Sequence, residues 1–276
     1  MTHAPLAHIP GQARLAARYR QEQPAPAAWN ETLDTLLSHR SVRAFRPDPL
    51  ADGVLELIVA AAQSASTSSN LQPWSVIAVS DPERKARLAA FAGNQQHIVE
   101  APLFLVWLID LHRLEGIGQA EGQPAQALTY LESFLLGAVD TSLAAQNAVV
   151  ALESLGLGAV YIGGIRNRPE DVAQELGLPP QSFALFGLAI GHPDAGRPSS
   201  VKPRLPQEAV LFRETYGGTG QAVAAYNRHL RAFQREQGLP EGDWSAIVAH
   251  RLRGAEALQG RDTLRDALHR LGFALA

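Results

Sequence analysis

Between Glu132 and Glu153 the only ionisable side chain is Asp140, and most of the other positions are Ala, Leu or Val. A helix apolar on nearly every side has to be buried on nearly every side. The stretch from Gln126 onward therefore predicts a central helix of roughly 30 residues, about 45 Å long, which is longer than one core of this size needs. Such a helix is expected to run through the shared core of a dimer. It is not read as a membrane span, because Asp140, Thr141, Ser142, Gln146 and Asn147 interrupt the apolar run and no basic flank orients it. Gly156 and Gly158 are expected to close the helix in the left-handed backbone that glycine accepts. Ala159 to Ile162 then reads as a short strand, and Gly163-Gly164 leaves main-chain N–H groups bare where something flat could approach.

Alternation over Trp74 to Val79 predicts another strand. The uniformly apolar runs Leu103 to Ile109 and Phe183 to Ile190 predict buried strands, the first at the centre of the sheet. Helices are expected after Asn30, with Leu33, Leu36 and Leu37 on one face, after Asp52, from Asp81-Pro82 to Phe91, and over Pro169 to Leu176. Gly93 to His97 reads as a loop and Val201 to Pro206 as an extended basic segment. Three further helices are expected near 221–237, 243–256 and 261–271. Residues 1–28 are rich in Ala, Pro and Gln and hold one short helix over Gln12 to Gln21, as a tail or as a docking arm. Residues 29–216 are expected to form the main domain and 217–276 a helical extension of it.

Composition narrows the chemistry. The chain has 276 residues, a formal net charge of −3 and no cysteine. Neither nucleic acid nor an anionic membrane is an implied partner, and thiolate catalysis, disulfides and thiolate metal sites are excluded. The nine histidines show no metal-ligand spacing. No G-x-S-x-G, G-x-G-x-x-G or phosphate-loop motif is present. Met1 to Pro26 lacks the order of a signal peptide, so a cytoplasmic protein is expected.

Three groups of residues remain. His39-Arg40-Ser41-Val42-Arg43 packs three potential cations and a hydroxyl into one turn, and Lys202 and Arg204 project to one side of an extended segment. Each taken alone reads more readily as solvated surface charge, but both suit a phosphate, since charge-assisted hydrogen bonds are the strong ones. The Ser64 to Ser69 loop is either a donor set for a polar ligand edge or a flexible linker. Taken together, a basic clamp, a glycine step and hydroxyl or amide donors describe FMN, with Arg43 placed to stabilise negative charge near N1 and O2 of the ring.

The run His39 to Arg43, Leu71-Gln72, Gly137 to Thr141 with Ala145-Gln146-Asn147, Glu153 to Gly158, Tyr161 to Asn167 and Lys202 to Pro206 resemble the nitroreductase family. The likeness is to its oxygen-insensitive NAD(P)H nitroreductase group A and the related flavin reductases. It covers Trp29 to Tyr216 closely and the C-terminal helices loosely. The resemblance implies an α+β homodimer, a mixed sheet flanked by helices, with FMN bound at the subunit interface. By motif, His39, Arg40, Ser41, Lys202 and Arg204 would hold the phosphate and ribityl end, and Arg43 would sit by N1 and O2. Thr67, Ser68 and Ser69 would come in from their loop, and Gln95 would meet the pyrimidine edge. Tyr161, Ile162, Gly163 and Gly164 would pass the ring, while Ser69, Asn70, Arg166 and Arg261 would line the acceptor side. The implied reaction is ping-pong transfer from NAD(P)H through FMN to nitroaromatics or quinones, with no catalytic side chain and no metal. A flavin reductase supplying reduced FMN to a partner, or an FMN-binding module without turnover, are the alternatives.

The chain departs from the family pattern in two places. Group A members carry a basic run before an Asp-Thr-Trp motif that grips the 2′-phosphate of NADPH. Here Gly238-Leu239-Pro240-Glu241-Gly242-Asp243-Trp244 puts two acids in that place, which argues against a strong NADPH preference unless Arg228, Arg231 and Arg235 compensate. Asn70 stands where an aromatic is common.

Overall fold

The computed structural model describes residues 10–276. In chain order the first helices are α1 (Pro10–Tyr19), α2 (Glu31–Ser38), α3 (Val54–Gln63), α4 (Pro82–Phe91), α5 (Gln96–Glu100) and α6 (His112–Ala120). They are followed by α7 (Leu131–Ser154), α8 (Pro169–Leu176), α9 (Ala222–Glu236), α10 (Trp244–Arg251) and α11 (Leu264–Arg270). The strands are β1 (Trp74–Val79), β2 (Leu103–Asp110), β3 (Gly158–Ile162) and β4 (Ser182–Gly191). The chain forms two compact units, one from the described part of residues 1–40 with Ser199–Ala257, the other from Ser41–Pro198 with Leu258–Ala276.

The second unit holds the sheet, in the order β1-β2-β4-β3. The α+β class is as expected, and all three pairings among the described residues are antiparallel. β2 is central, and its pleat sends Phe104, Val106 and Leu108 to one face and Leu105 and Trp107 to the other. Both faces are covered: α4, α5 and α8 supply Leu88, Ile98 and Val172 on the first, and α3 and α7 supply Ile58, Ala144, Ala148 and Leu152 on the second. This double burial is why the strand reads as an unbroken apolar run.

Helix starts follow local chemistry. The Asn30 side chain accepts from the Leu33 N–H at 2.9 Å, and the Asp81 carboxylate accepts from the Arg84 N–H at 2.7 Å ahead of Pro82. The Asp52 cap expected for α3 is not formed. Gly53, in the left-handed region at φ 79°, occupies that position. α6 was not legible in the sequence, because two glycines and a mixed polar pattern hide its period.

The central helix is shorter than the pattern predicts. Gln126–Thr129 is a 3₁₀ turn, Tyr130 is extended at ψ 151°, and α7 runs for 24 residues. One side of α7, including Gly137, Asp140, Thr141, Ala144, Ala148 and Leu152, is buried. A Cβ at Gly137 would stand 2.6 Å from Ile109 Cγ2, so the missing side chain lets α7 press onto β2. Leu131, Leu135, Val139 and Leu143, spaced one turn apart, remain 44–56% exposed along the opposite stripe. Gly156 ends the helix at φ 77°, as expected, whereas Gly158 is the first residue of β3 and serves a different purpose described below.

The first unit is built on α1, α2, α9, α10 and the 199–206 segment. Arg14 of α1 forms two 2.9 Å bonds with Asp34 of α2, and Arg20 donates to Glu236 at the end of α9. The N-terminal segment is thus a docked arm over residues 10–19, while residues 1–9 of the expected extension lie outside the described residues. Tyr226 of α9 donates to the Pro203 carbonyl at 2.9 Å and meets the edge of Trp244 at 5.4 Å.

Candidate cofactor site

The segment Ser41 to Phe45 is fixed in the second unit by one close approach. The Val42 N–H donates to the Ala159 carbonyl at 2.9 Å, and a Cβ on Gly158 would lie 2.5 Å from Val42 Cγ2. Glycine there is what lets Val42 sink to 4% exposure against β3. With Val42 and Ala44 both buried, Arg43 between them is exposed. Phe45 then bridges to Pro193, and the Asp194 N–H donates to the Ala44 carbonyl at 3.0 Å.

The hydroxyl-rich loop is anchored, not a flexible linker. Asp140, the one buried acid of α7 at 3% exposed, accepts from Thr67 Oγ1 at 2.5 Å and from the Ser68 N–H at 3.2 Å. Thr67 Oγ1 in turn accepts from the Gln72 N–H at 3.0 Å. Ser69, Asn70 and Gln72 hold φ of 49°, 56° and 51°, a conformation that costs about 1–2 kcal/mol at a non-glycine residue and persists where its surroundings enforce it. The Thr67 hydroxyl is engaged inside this turn, and Ser68, Ser69 and Asn70 face outward.

Beyond β3, residues Gly163–Asn167 make a 3₁₀ turn. A Cβ on Gly164 would meet the Ala92 carbonyl at 2.5 Å and Gln95 Nε2 at 2.6 Å, so the protein itself takes the space that a side chain would need. Gln95 donates to that same Ala92 carbonyl at 2.8 Å. The turn and Gln95 are therefore packed together. Gly163 has the Arg166 guanidinium 3.4 Å from its Cβ position. Tyr161 is 37% exposed, with its ring edge-on to Phe186 at 5.1 Å, while Ile162 is fully buried. Arg166 donates to the Leu185 carbonyl and Arg261 to the Leu258 carbonyl. Burial first, and the charge of Arg261 second, hold the Arg166 guanidinium below the ordinary arginine range.

His97 opens a charge relation that sequence reading passed over. It lies in α5 and not in a loop, and its Nε2 is buried with no hydrogen-bond partner among the described residues. Burial, and then the positive charge of Arg43, lower its pKa below the usual histidine value, with Glu100 opposing. Arg43 thus lies within electrostatic range of the helix that follows Gln95. Between pH 6.5 and the lower folded-state value, the unfolded chain binds more protons at this residue than the native one. Stability is therefore expected to fall as pH drops through that window. Urea unfolding across pH 5 to 8 should show a shallower acid loss in His97→Gln than in wild type; identical slopes would contradict it.

In the first unit, Arg18 is the residue that sequence reading missed. Its guanidinium donates to the carbonyls of Leu37, His39 and Lys202, and the Arg204 N–H donates to the Arg18 carbonyl. His39 is thereby brought to the 202–204 segment, and Arg40, Lys202 and Arg204 are exposed. Arg204 also fronts a cleft of about 370 Å³ walled by Tyr19, Leu205, Val210, Tyr226 and Trp244. Arg231 is bound to Asp243, and Arg235 to Glu241 through contacts of 2.9 and 2.8 Å. No group of three or more His, Cys, Asp or Glu side chains suited to a metal occurs among the described residues.

A model of the nitroreductase family matches residues 36–192, and one of the family's C-terminal domain matches residues 202–276. An FMN reductase (NADPH) of Bacillus subtilis is 37% identical over 88% of this chain and 98% of its own length. An oxygen-insensitive NADPH nitroreductase of Salmonella typhimurium is 38% identical over 88% of this chain and 98% of its own. The solved structure of B. megaterium NfrA2 superposes with a TM-score of 0.84 at 36% identity, covering 90% of this chain and 100% of that one.

Proposed function

Since the chain belongs to the nitroreductase family, we propose that it is an FMN-dependent NAD(P)H oxidoreductase reducing nitroaromatics and quinones. The observation that carries the reading is local to the second unit. Gln95 packs against the Gly163-Gly164 turn that follows β3, and the Val42 to Ala159 hydrogen bond holds the exposed Arg43 alongside the start of the same strand, so a donor, main chain and a cation border β3, as a flat ring with polar edges needs. Bound FMN supplies the centre that takes a hydride from the nicotinamide and yields it to an acceptor.

The residues' part is binding and electrostatics. In the first unit, His39, Arg40, Lys202 and Arg204 suit a phosphate by charge-assisted hydrogen bonding. In the second, Ser41 and the outward Ser68 and Ser69 offer hydroxyls, with Thr67 ordering their loop. Gln95 would offer its amide to a ring edge, and Arg43 would stabilise negative charge on the ring. Tyr161, Ile162, Gly163 and Gly164 would flank a bound ring, and Ser69, Asn70, Arg166 and Arg261 would line the acceptor side. We assign the molecule as a homodimer, because the Leu131, Leu135, Val139 and Leu143 stripe is an apolar face that a second copy of α7 would cover. A cytoplasmic location agrees with dependence on reduced nicotinamide nucleotides.

The decisive measurement is the visible spectrum of the purified protein followed by anaerobic titration with NADH and NADPH. Stoichiometric bleaching of bound flavin, reversed by a nitrofuran or quinone, is expected. A colourless protein that takes up no FMN, or a bound flavin that neither nucleotide bleaches, contradicts the assignment. Free FMN is the competing acceptor, favoured by the name of the Bacillus subtilis relative, and its turnover rate against the quinone decides between the two.

Arg231 and Arg235 are each paired with an acid, so neither offers an uncompensated charge to a 2′-phosphate. NADH and NADPH are expected to give kcat/KM values within about tenfold of each other. The double substitution Glu241→Gln with Asp243→Asn should shift the ratio toward NADPH, by no more than severalfold because exposed charge pairs are weak. An unchanged ratio would show that these acids do not restrain nucleotide choice.

A further inference from the structure

We infer that Arg18 is a positioning residue for the phosphate end of the flavin, setting the spacing of His39, Arg40, Lys202 and Arg204 through their main chain. The inference rests on the FMN reading above. Arg18 lies upstream of the residues matched by the family models, which begin at residue 36. Nothing in those matches assigns it a role.

The physical case starts from α1. Arg14 and Arg18 are four apart and therefore share a helix face. Arg14 pairs with Asp34 at the surface of α2, whereas Arg18 is only 7% exposed. Burying a guanidinium is costly unless its donors are satisfied. Here they reach the carbonyls of His39 at 2.9 Å, Lys202 at 3.0 Å and Leu37 at 3.1 Å. Leu37 and His39 lie at the C-terminal end of α2, where the last carbonyls lack helical partners and the helix dipole is negative. A buried cation belongs at such a place.

The same residue also works through its backbone, since its carbonyl accepts the Arg204 N–H at 3.0 Å. Two segments far apart in sequence, 37–40 and 202–204, are thus tied to a single side chain and its own peptide. Cations on separate segments would otherwise have to be ordered when an anion binds, and pre-ordering them removes that entropic penalty. The planar fork of arginine can bridge three carbonyls at once, which a lysine ammonium does less well.

The test uses the full-length protein stripped of flavin and titrated, by flavin fluorescence, with FMN and with riboflavin. Riboflavin keeps the ring and ribityl chain and lacks the phosphate. Arg18→Met is expected to raise the Kd for FMN about tenfold, as for losing one charge-assisted contact's worth of binding, and that for riboflavin by less than about twofold. Arg18→Lys should fall between, at about threefold for FMN. Unchanged FMN affinity in folded Arg18→Met, or equal weakening of both ligands, overturns the inference. If Arg18→Met does not fold, Arg18→Lys decides by the same comparison of the two ligands. A wild-type protein that binds neither flavin overturns the FMN reading itself, a result visible before any variant is made.

Discussion

Asp140→Ala is expected to destabilise the protein by about 3–5 kcal/mol and to weaken flavin binding by more than tenfold. Asp140 is the only ionisable residue between Glu132 and Glu153, and its carboxylate holds Thr67 Oγ1 and the Ser68 N–H. Hydrogen bonds to a charged group contribute about 1.5–3 kcal/mol each, and removing the acceptor leaves both donors without it. The three left-handed residues of the loop add to the effect. At about 1–2 kcal/mol apiece, Ser69, Asn70 and Gln72 have reason to relax once the anchor is gone. Their relaxation would scatter the serines proposed to meet the flavin. Asp140→Asn preserves the shape and one acceptor oxygen, so it should lose about half as much stability. Urea unfolding of Asp140→Ala, Thr67→Val and the double variant should show a coupling of about 1–2 kcal/mol. Additive losses would mean that the contact carries little energy.

The second large effect is expected at Gly158. Adding one methyl there places a carbon 2.5 Å from Val42 Cγ2 and 2.7 Å from Val42 Cβ, well inside contact distance, with the 2.9 Å Val42 to Ala159 hydrogen bond holding the two segments together. Overpacking of this kind costs about 1–3 kcal/mol. The displaced Val42 carries Ser41 and Arg43 with it, so Gly158→Ala should weaken FMN binding as well as lower stability. Trimming the opposing side chain tests the cause. Gly158→Ala combined with Val42→Ala should be more stable than the sum of the single losses predicts, and should regain flavin affinity. A double variant no better than Gly158→Ala alone would place the effect in the backbone of Gly158 and not in its clash with Val42.

Both sites show how a motif residue can be legible while its reason is not. The Gly163-Gly164 pair stands out in the sequence as a place where main chain is bare, yet Gly164 is required by Ala92 and Gln95, which lie some seventy residues earlier in the chain. Gly158 reads as part of a helix stop and proves to be the floor on which Val42 rests. Asp140 is conspicuous as one acid in an apolar helix, but only the fold shows that it reaches across to Ser68. Likewise, Arg18 sits in a segment whose composition is equally compatible with a loose tail.

Periodicity and capping chemistry, both carried by residues within a few positions of one another, were enough to determine the four strands, the centrality of β2, the caps at Asn30 and Asp81 and the course of α8. Motif order alone likewise pointed to the family. The tertiary structure decided where α7 begins, which stripe of it stays exposed, why Gly158 and Gly164 carry no side chain, and which cation ties His39 to Lys202. These depend on distances between atoms far apart in the chain, and local pattern records what a residue prefers without recording what will approach it.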